Sequence, residues 1–224
     1  MSGRLEHLRR TEGTVHGART ALTRVARGTA RRLNARALGW RNGVLPLGST
    51  VIGASHITVG EGFDAARPVW LEAVTSYAGE TFEPRIRIGA RLTSSGLLHV
   101  SAIGEIAIGD DCLFGSNVYI GDHAHGEYRG HGSSDPSSAP RTRPLRSPGP
   151  IAIGDRCWFG DNVVVLGGVT IGDGCVIGAN SVVTRSLAAG TIAGGSPARP
   201  LKTWDQAAAT WRRSASTALE GRPA

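Results

Sequence analysis

The sequence predicts an all-β fold built from short strands that turn a corner every six residues. From Ile153 onward an aliphatic or aromatic residue recurs at this interval, and small or medium residues precede it by two positions. The recurring series is Ile153, Phe159, Val165, Ile171, Ile177 and Val183. A period of six fits neither an α-helix nor a continuous strand, so each repeat is a short strand and a turn. The 32 glycines among 224 residues, with 5% aromatics, are typical of tightly turning β structure.

Three such repeats would close one coil of a triangular solenoid, and successive coils would stack side chains at about 4.8 Å. Cys157 and Cys175 are one coil apart, which predicts stacked core residues. With Cys112 they are too few and too evenly placed for a disulfide framework or a cysteine metal site. We expect all three cysteines to be reduced and buried.

Weaker repeats extend the solenoid toward the N-terminus. Ile108, Phe114 and Ile120 show the same pattern, residues 51–60 and 85–92 are imperfect coils, and residues 69–74 form a strand between them. The predicted repeat domain therefore covers residues 46–203.

The two termini differ from the repeats. Residues 1–45 carry ten arginines against two glutamates, a balance of 10 − 2 = +8, so the net charge of +7 comes from this segment and the rest of the chain is close to neutral. We predict a basic N-terminal extension over 1–45, partly helical between residues 15 and 38, that contributes none of the periodic core. Residues 204–224 predict a short C-terminal helix and tail, with Asp205 as its N-cap or first-turn acid.

The repeat stops between residues 121 and 150, where serine, proline, glycine, histidine and arginine dominate. The register then resumes without a fault, so the segment is an excursion from one coil. An excursion of this length is either a functional loop or disorder. It begins with Asp122, His123 and His125, and imidazole is the side chain best suited to take a hydroxyl proton near neutral pH.

The segments IAIGDRCWFGDNVVVLGGVTIGDGCVIGANSVVTRSL and GGSPARPLK resemble the hexapeptide-repeat acyltransferases. The similarity is greatest to sugar O-acetyltransferases of the maltose and galactoside type and of the polysaccharide-modifying type. It implies a left-handed parallel β-helix, acetyl-CoA as donor, and a homotrimer with active sites between subunits. It also implies direct acyl transfer to a sugar, glycan or glycoside hydroxyl with a histidine general base.

The resemblance assigns roles to individual residues. His125 aligns with the catalytic histidine, while Asp122 and His123 either contact the acceptor or form the turn. Positions matching the coenzyme groove are Trp158, Gly160, Asp161, Ala179, Thr184, Arg199 and Lys202, and the acceptor-site position falls at Ser94 and Ser95. Trp158 could instead seal a subunit interface, and Arg199 and Lys202 could be ordinary surface cations. Asp161 departs from the family, which favours a small or hydroxyl residue there.

Several alternatives stay open at this stage. An antibiotic acetyltransferase would share the fold, because coil sequence does not reveal the acceptor. A γ-carbonic-anhydrase-like zinc enzyme is disfavoured by the spacing of His123 and His125, so no metal is expected. The arginine-rich extension would give nonspecific attraction to nucleic acid, or weak association with an anionic membrane surface.

The sequence also bears on location. No apolar run approaches the ~20 residues needed to span a bilayer, and the N-terminus lacks the apolar region of a secretory signal. We expect a cytoplasmic protein, with a possible peripheral position at the inner face of the membrane.

Overall fold

Short parallel strands wind around the three sides of a prism in the computed structural model, which describes residues 28–128 and 132–214. Numbered along the chain, the first strands are β1 (Thr50–Ile52), β2 (Ile57–Val59), β3 (Asp64–Ala65), β4 (Trp70–Ala73), β5 (Ser76–Tyr77), β6 (Glu80–Thr81), β7 (Arg85–Ile88), β8 (Thr93–Ser94), β9 (Leu98–Ala102), β10 (Glu105–Ile108), β11 (Leu113–Phe114) and β12 (Val118–Gly121). The remaining strands are β13 (Ala124–His125), β14 (Leu145–Arg146), β15 (Ile151–Ile153), β16 (Trp158–Phe159), β17 (Val164–Leu166), β18 (Val169–Ile171), β19 (Val176–Ile177), β20 (Val182–Val183), β21 (Thr191–Gly194), β22 (Arg199–Asp205) and β23 (Thr210–Arg213). Two 3-10 turns lie at Ala54–His56 and Pro140–Thr142.

Each side of the prism is one sheet. Face A contains β3, β8, β11, β16, β19 and β21, and β22 and β23 continue it in antiparallel order. Face B contains β1, β4, β9, β12, β17 and β20, and face C contains β2, β7, β10, β15 and β18. Each coil visits faces C, A and B in turn. The fold is a left-handed parallel β-helix, as predicted.

The interior is filled by side chains that stack from coil to coil. Phe114 and Phe159 lie parallel with ring centroids 4.6 Å apart. Cys112, Cys157 and Cys175 are buried at equivalent corners, and the Cys157 thiol donates to the Gly172 carbonyl of the next coil at 3.3 Å. The prediction of buried, stacked cysteines is confirmed. Hydrogen bonding to the Cys112 thiol raises the pKa of Cys157 to about 11, so this thiol stays protonated near neutral pH.

Polar side chains at the corners link each coil to the next. The Asp155 carboxylate accepts the Asp110 N–H at 2.8 Å, and the Asp173 carboxylate accepts the Asp155 N–H at 3.0 Å. Asn162 lies at another corner with φ of 57°, in the left-handed region that asparagine tolerates. These ladders satisfy backbone groups that the strands leave unbonded.

The N-terminal segment agrees with the prediction only in its helix, which lies within the predicted residues 15–38. Residues 28–37 are helical, and the chain after them packs on the first coil: Trp40 meets Phe63 edge-on at 5.4 Å, and Leu45 is 1% exposed. The Val44 N–H donates to the Phe63 carbonyl at 2.7 Å, and Val44 bridges Asp64. The expectation that residues 1–45 add nothing to the core is therefore wrong for residues 35–45, because they cover the open end of the prism. Residues 1–27 lie outside the described part of the chain.

The predicted C-terminal helix is also wrong across residues 204–213. Strands β22 and β23 form an antiparallel hairpin there, with Trp204 opposite Trp211. Asp205 does cap backbone N–H groups, those of Ala207 and Ala208 at 3.0 Å each, but it caps a turn between strands. Ala209 ends that turn with φ of 46°, and β23 then extends the sheet. Residues 215–224 lie outside the described part.

Among residues 28–128 and 132–214, no helix has the length and apolar character needed to cross a membrane.

Candidate functional site

The excursion leaves the prism at the end of face B and returns to face C. Strand β12 ends at Gly121, and β15 then pairs in register with β10, Ile151 opposite Ile106. The two ends of the excursion are joined by an antiparallel ribbon in which β13 pairs with β14. Gly126 adds an N–H bond to the Pro144 carbonyl at 2.8 Å. The root of the loop is thus held in one conformation.

A buried carboxylate lies at this root. Asp122 is fully buried, and its two oxygens accept the Ile103 N–H at 3.0 Å and the Gly104 N–H at 2.8 Å. Its Oδ1 also lies 3.0 Å from Nδ1 of His123, whose side chain is 12% exposed. A buried charge requires such partners. Because an ionised carboxylate can only accept, Nδ1 of His123 donates and Nε2 is left to act as a base.

His125 occupies a different environment on the loop. It is exposed on β13, and its ring meets that of Tyr77 edge-on, with centroids 5.1 Å apart. Its backbone carbonyl accepts the Tyr128 hydroxyl at 2.5 Å. The assignment of His125 as the base stays a prediction, and the geometry favours His123 because the carboxylate partner belongs to His123.

A second hairpin, not predicted from the sequence, supports the loop. We call residues 76–81, which form β5 and β6, the buttress hairpin. Its Glu80 accepts two hydrogen bonds from the Arg146 guanidinium at 2.6 and 3.0 Å, and the Tyr77 hydroxyl donates to the Arg141 carbonyl at 2.6 Å. Hydrogen bonding to Arg146 lowers the pKa of Glu80. The signal that could have revealed the hairpin is Ala78-Gly79, whose φ values of 49° and 84° suit a two-residue turn.

A groove of about 420 Å³ runs along the corner between faces A and B. Trp158, 53% exposed, lies along it. The lining residues are Ser95, Leu113, Gly115, Trp158, Gly160, Asp161, Val176, Ile177, Gly178 and Ala179. Four of the predicted coenzyme positions, Trp158, Gly160, Asp161 and Ala179, are therefore brought together. A Cβ on Gly160 would lie 2.7 Å from the Ala179 nitrogen, so glycine lets neighbouring coils approach at this corner.

Asp161 has a structural partner within the groove. Its Oδ1 accepts the Ser116 N–H at 2.6 Å. The carboxylate is thus part of the corner ladders, which gives this departure from the family a physical reason.

The other predicted residues lie elsewhere. Ser94 is fully buried and its hydroxyl donates to the Gly96 carbonyl at 3.0 Å, so its predicted contact with an acceptor is wrong. Alternation along β8 turns Ser94 inward and leaves Ser95 at the groove. Thr184 is exposed outside the set of lining residues. Arg199 and Lys202 are exposed on β22, where face A continues beyond the groove.

Within the described residues, no three histidine, cysteine, aspartate or glutamate side chains are grouped so that they could hold a metal ion.

Family comparisons agree with this architecture. The sequence model described as bacterial transferase hexapeptide (six repeats) matches residues 150–185, and that of the hexapeptide repeat of succinyl-transferase matches residues 105–121. Two segments of the chain therefore match models of hexapeptide-repeat transferases. The two matched segments lie on either side of the loop that carries Asp122 and His123.

A described protein is similar in sequence over about half of this chain. The chain is 39% identical over 121 residues to the putative lipopolysaccharide biosynthesis O-acetyl transferase WbbJ of Escherichia coli (strain K12), a match covering 52% of this chain and 60% of that relative. The match thus spans less than two thirds of the relative's length.

Solved structures resemble the fold. A variant of the N-acyltransferase AntD from Bacillus cereus, in complex with dTDP-4-amino-4,6-dideoxyglucose and coenzyme A, is 16% identical with a TM-score of 0.58. That match covers 84% of this chain and 92% of AntD. A maltose O-acetyltransferase from Clostridium difficile 630 is 24% identical with a TM-score of 0.45, covering 81% of this chain and 88% of that chain.

Proposed function

We propose that the protein is an acetyl-CoA-dependent O-acetyltransferase that acylates a hydroxyl of a sugar or glycan by direct transfer, with His123 as general base. The observation that carries the proposal is the buried Asp122 carboxylate bonded to His123 where the loop leaves the coil. The match to WbbJ, named as an O-acetyl transferase of lipopolysaccharide biosynthesis, supports the choice of donor chemistry and acceptor class.

The groove at the corner between faces A and B fits the donor. Its apolar wall includes Leu113 and Val176, and the exposed indole of Trp158 could cover a pantetheine arm. Arg199 and Lys202, beyond the groove on β22, supply cations for the coenzyme's phosphates. When bound, acetyl-CoA supplies the activated acyl thioester.

The proposed proton path uses the Asp122–His123 pair. Asp122 holds the His123 ring through Nδ1, so that Nε2 takes the hydroxyl proton while the acceptor oxygen bonds to the thioester carbonyl carbon. The C–S bond breaks as this ester forms, and Nε2 returns the proton to the leaving thiolate. Such base catalysis typically contributes about 10²- to 10⁴-fold to the rate.

Assembly as a trimer completes the proposal. His123 follows β12 at the corner between faces B and C, whereas Trp158 lies on face A beside its corner with face B. The width of face B separates the two within one chain. A threefold assembly would place the base of one subunit beside the groove of the next.

The test compares the two loop histidines. His123→Ala is expected to lower turnover by about 10²-fold or more, because the base is removed. His125→Ala is expected to retain most of the turnover, and both variants should keep coenzyme A affinity and thermal stability. The measurements are coenzyme A release with a panel of glycosides, coenzyme A titration and a melting curve for each variant. An inactive His125 variant beside an active His123 variant would instead support the family alignment, and full activity in both would exclude a histidine base on this loop.

A further inference from the structure

An unassigned group of aromatic and polar side chains covers part of face B. Trp70, His99 and Tyr119 occupy directly paired positions on β4, β9 and β12. The rings of Trp70 and His99 are stacked with centroids 4.8 Å apart, and Tyr119 meets His99 edge-on at 5.1 Å. Glu72 lies two residues after Trp70 on β4, hence on the same outward face and about 7 Å away. We call Trp70, Glu72, His99 and Tyr119 the face B strip.

The strip is confined to the coils that precede the loop. At the same outward position, the next coils carry Val164 and Val182. The solenoid itself therefore does not require aromatic or charged residues here. A local departure from an aliphatic surface indicates a purpose beyond packing.

The strip is continuous with the Asp122–His123 pair. A Cβ on Gly121 would lie 2.1 Å from the Tyr119 hydroxyl, so this hydroxyl lies directly over the residue that precedes Asp122. Burial is the largest cause that raises the pKa of Tyr119, and the charges of Asp122 and Glu72 raise it further. His99 is likewise close enough to His123 for their charges to interact. The strip thus begins beside the base and ends at Trp70, 43% exposed.

His99 provides an independent sign of a missing partner. Its Nε2 is buried and has no hydrogen-bond partner among the described residues. Buried polar atoms in native proteins are almost always bonded, so an exception calls for a ligand, a water or a functional explanation. A molecule lying along the strip would bring polar groups to this region.

We propose that the face B strip is the acceptor subsite and that it takes a pyranoside. A pyranose ring has a face of C–H groups and a rim of hydroxyls. An exposed indole fits the C–H face, and a carboxylate beside it accepts hydrogen bonds from the hydroxyls. Glu72 and Trp70 present this pair on one strand. The inference rests on the proposed acetyl transfer, and it adds which surface selects the sugar.

The experiment uses the full-length protein, acetyl-CoA and two acceptor sets. One set contains methyl pyranosides of glucose, galactose, mannose and N-acetylglucosamine, and the other contains the non-carbohydrate alcohols serine and chloramphenicol. With the best glycoside, Trp70→Ala should raise the acceptor KM about tenfold and change kcat by less than about twofold. Glu72→Gln should act in the same direction, and Trp70→Phe should restore much of the affinity because it keeps an aromatic face.

Val182→Ala is the matched control, since Val182 occupies the Trp70 position two coils beyond the loop strand. Light scattering accompanies the kinetics. An unchanged acceptor KM in both strip variants would overturn the subsite. Dissociation of the assembly in Trp70→Ala, with equal loss of acceptor and coenzyme affinity, would show that a second copy of the chain covers the strip. Transfer by the wild-type protein to the alcohols alone, or to neither set, would instead count against the proposed sugar acetylation itself.

Discussion

His99 on β9 is an imidazole held between the rings of Trp70 and Tyr119. Burial is the main cause that lowers its pKa, the charge of His123 lowers it further, and Glu72 opposes both. The Tyr119 ring meets the His99 ring edge-on, with centroids 5.1 Å apart. The folded protein therefore resists protonation of His99 more than the unfolded chain does.

This resistance predicts a pH dependence of stability. A histidine whose pKa is lowered by folding binds more protons in the unfolded state, so stability is complete above the ordinary pKa of 6.5 and declines as pH falls below it. We expect the melting temperature of the wild-type protein to fall more steeply between pH 7.5 and 5 than that of His99→Gln. Circular dichroism melts at half-unit steps provide the comparison, and parallel curves for the two proteins would contradict it.

Sequence reasoning placed the candidate base at the turn where the loop leaves the coil and chose His125, and that choice stays a prediction. Asp122, His123 and His125 were recognisable where the repeat ends. What distinguishes the two histidines is the pair of N–H groups from Ile103 and Gly104, one coil earlier, that fixes the Asp122 carboxylate. Such a contact between coils has no local sequence signal.

The buttress hairpin and the loop form one structural unit, joined by side-chain hydrogen bonds. Arg146 on β14 reaches Glu80 on β6, and Tyr77 on β5 contacts both His125 and the Arg141 carbonyl. These contacts join segments distant in sequence: Arg146 and Glu80 are separated by 66 positions, and Tyr77 and Arg141 by 64. They fix the outer part of the loop root.

Arg146→Met tests this coupling. We expect faster hydrogen exchange in residues 122–128 and 132–150 and a kcat/KM about tenfold lower, because the loop that carries the proposed base is less well positioned. The melting temperature should change little, since the pair is solvent-exposed. Arg87→Met is the matched control: Arg87 pairs with Glu105 at similar exposure on face C. Equal effects of both substitutions would argue against a positioning role.

The C-terminal hairpin shows why one element was predicted wrongly. An aspartate followed by a glutamine and three alanines fits a helix start, and Asp205 does accept two N–H bonds as an N-cap would. The outcome is decided instead by pairing of β22 with the edge strand β21. An unpaired sheet edge gains more from a strand than from a helix that lacks a packing surface.

The periodic interior of the whole solenoid was predictable because most repeats carry an aliphatic or aromatic residue at the same position. The ends of the prism were not, because no repeat specifies what covers them. Trp40 and Leu45 do so at the N-terminal end, packed by Phe63. Capping elements of this kind are a general need of stacked repeats.

Truncation tests the N-terminal cap. Removal of residues 1–45 should expose Phe63 and cost roughly 1.5–3 kcal/mol for each of the buried Trp40 and Leu45 side chains. We expect the melting temperature to fall by about 10 °C or more, with aggregation of the truncated protein. Removal of residues 1–27 alone, which leaves the cap in place, should have a small effect. Similar melting temperatures for both truncations would show that the cap does not stabilise the prism.

The excursion leaves the strand register of the coils on either side of it undisturbed. Ile151 pairs with Ile106 as closely as if the intervening segment were absent, and β13 and β14 join its two ends. The free energy of closing a loop grows only with the logarithm of its length. Insertions, deletions or exchange of the residues outside that ribbon therefore place almost no demand on the coils. The coils can therefore stay constant while the segment between them varies in length and sequence.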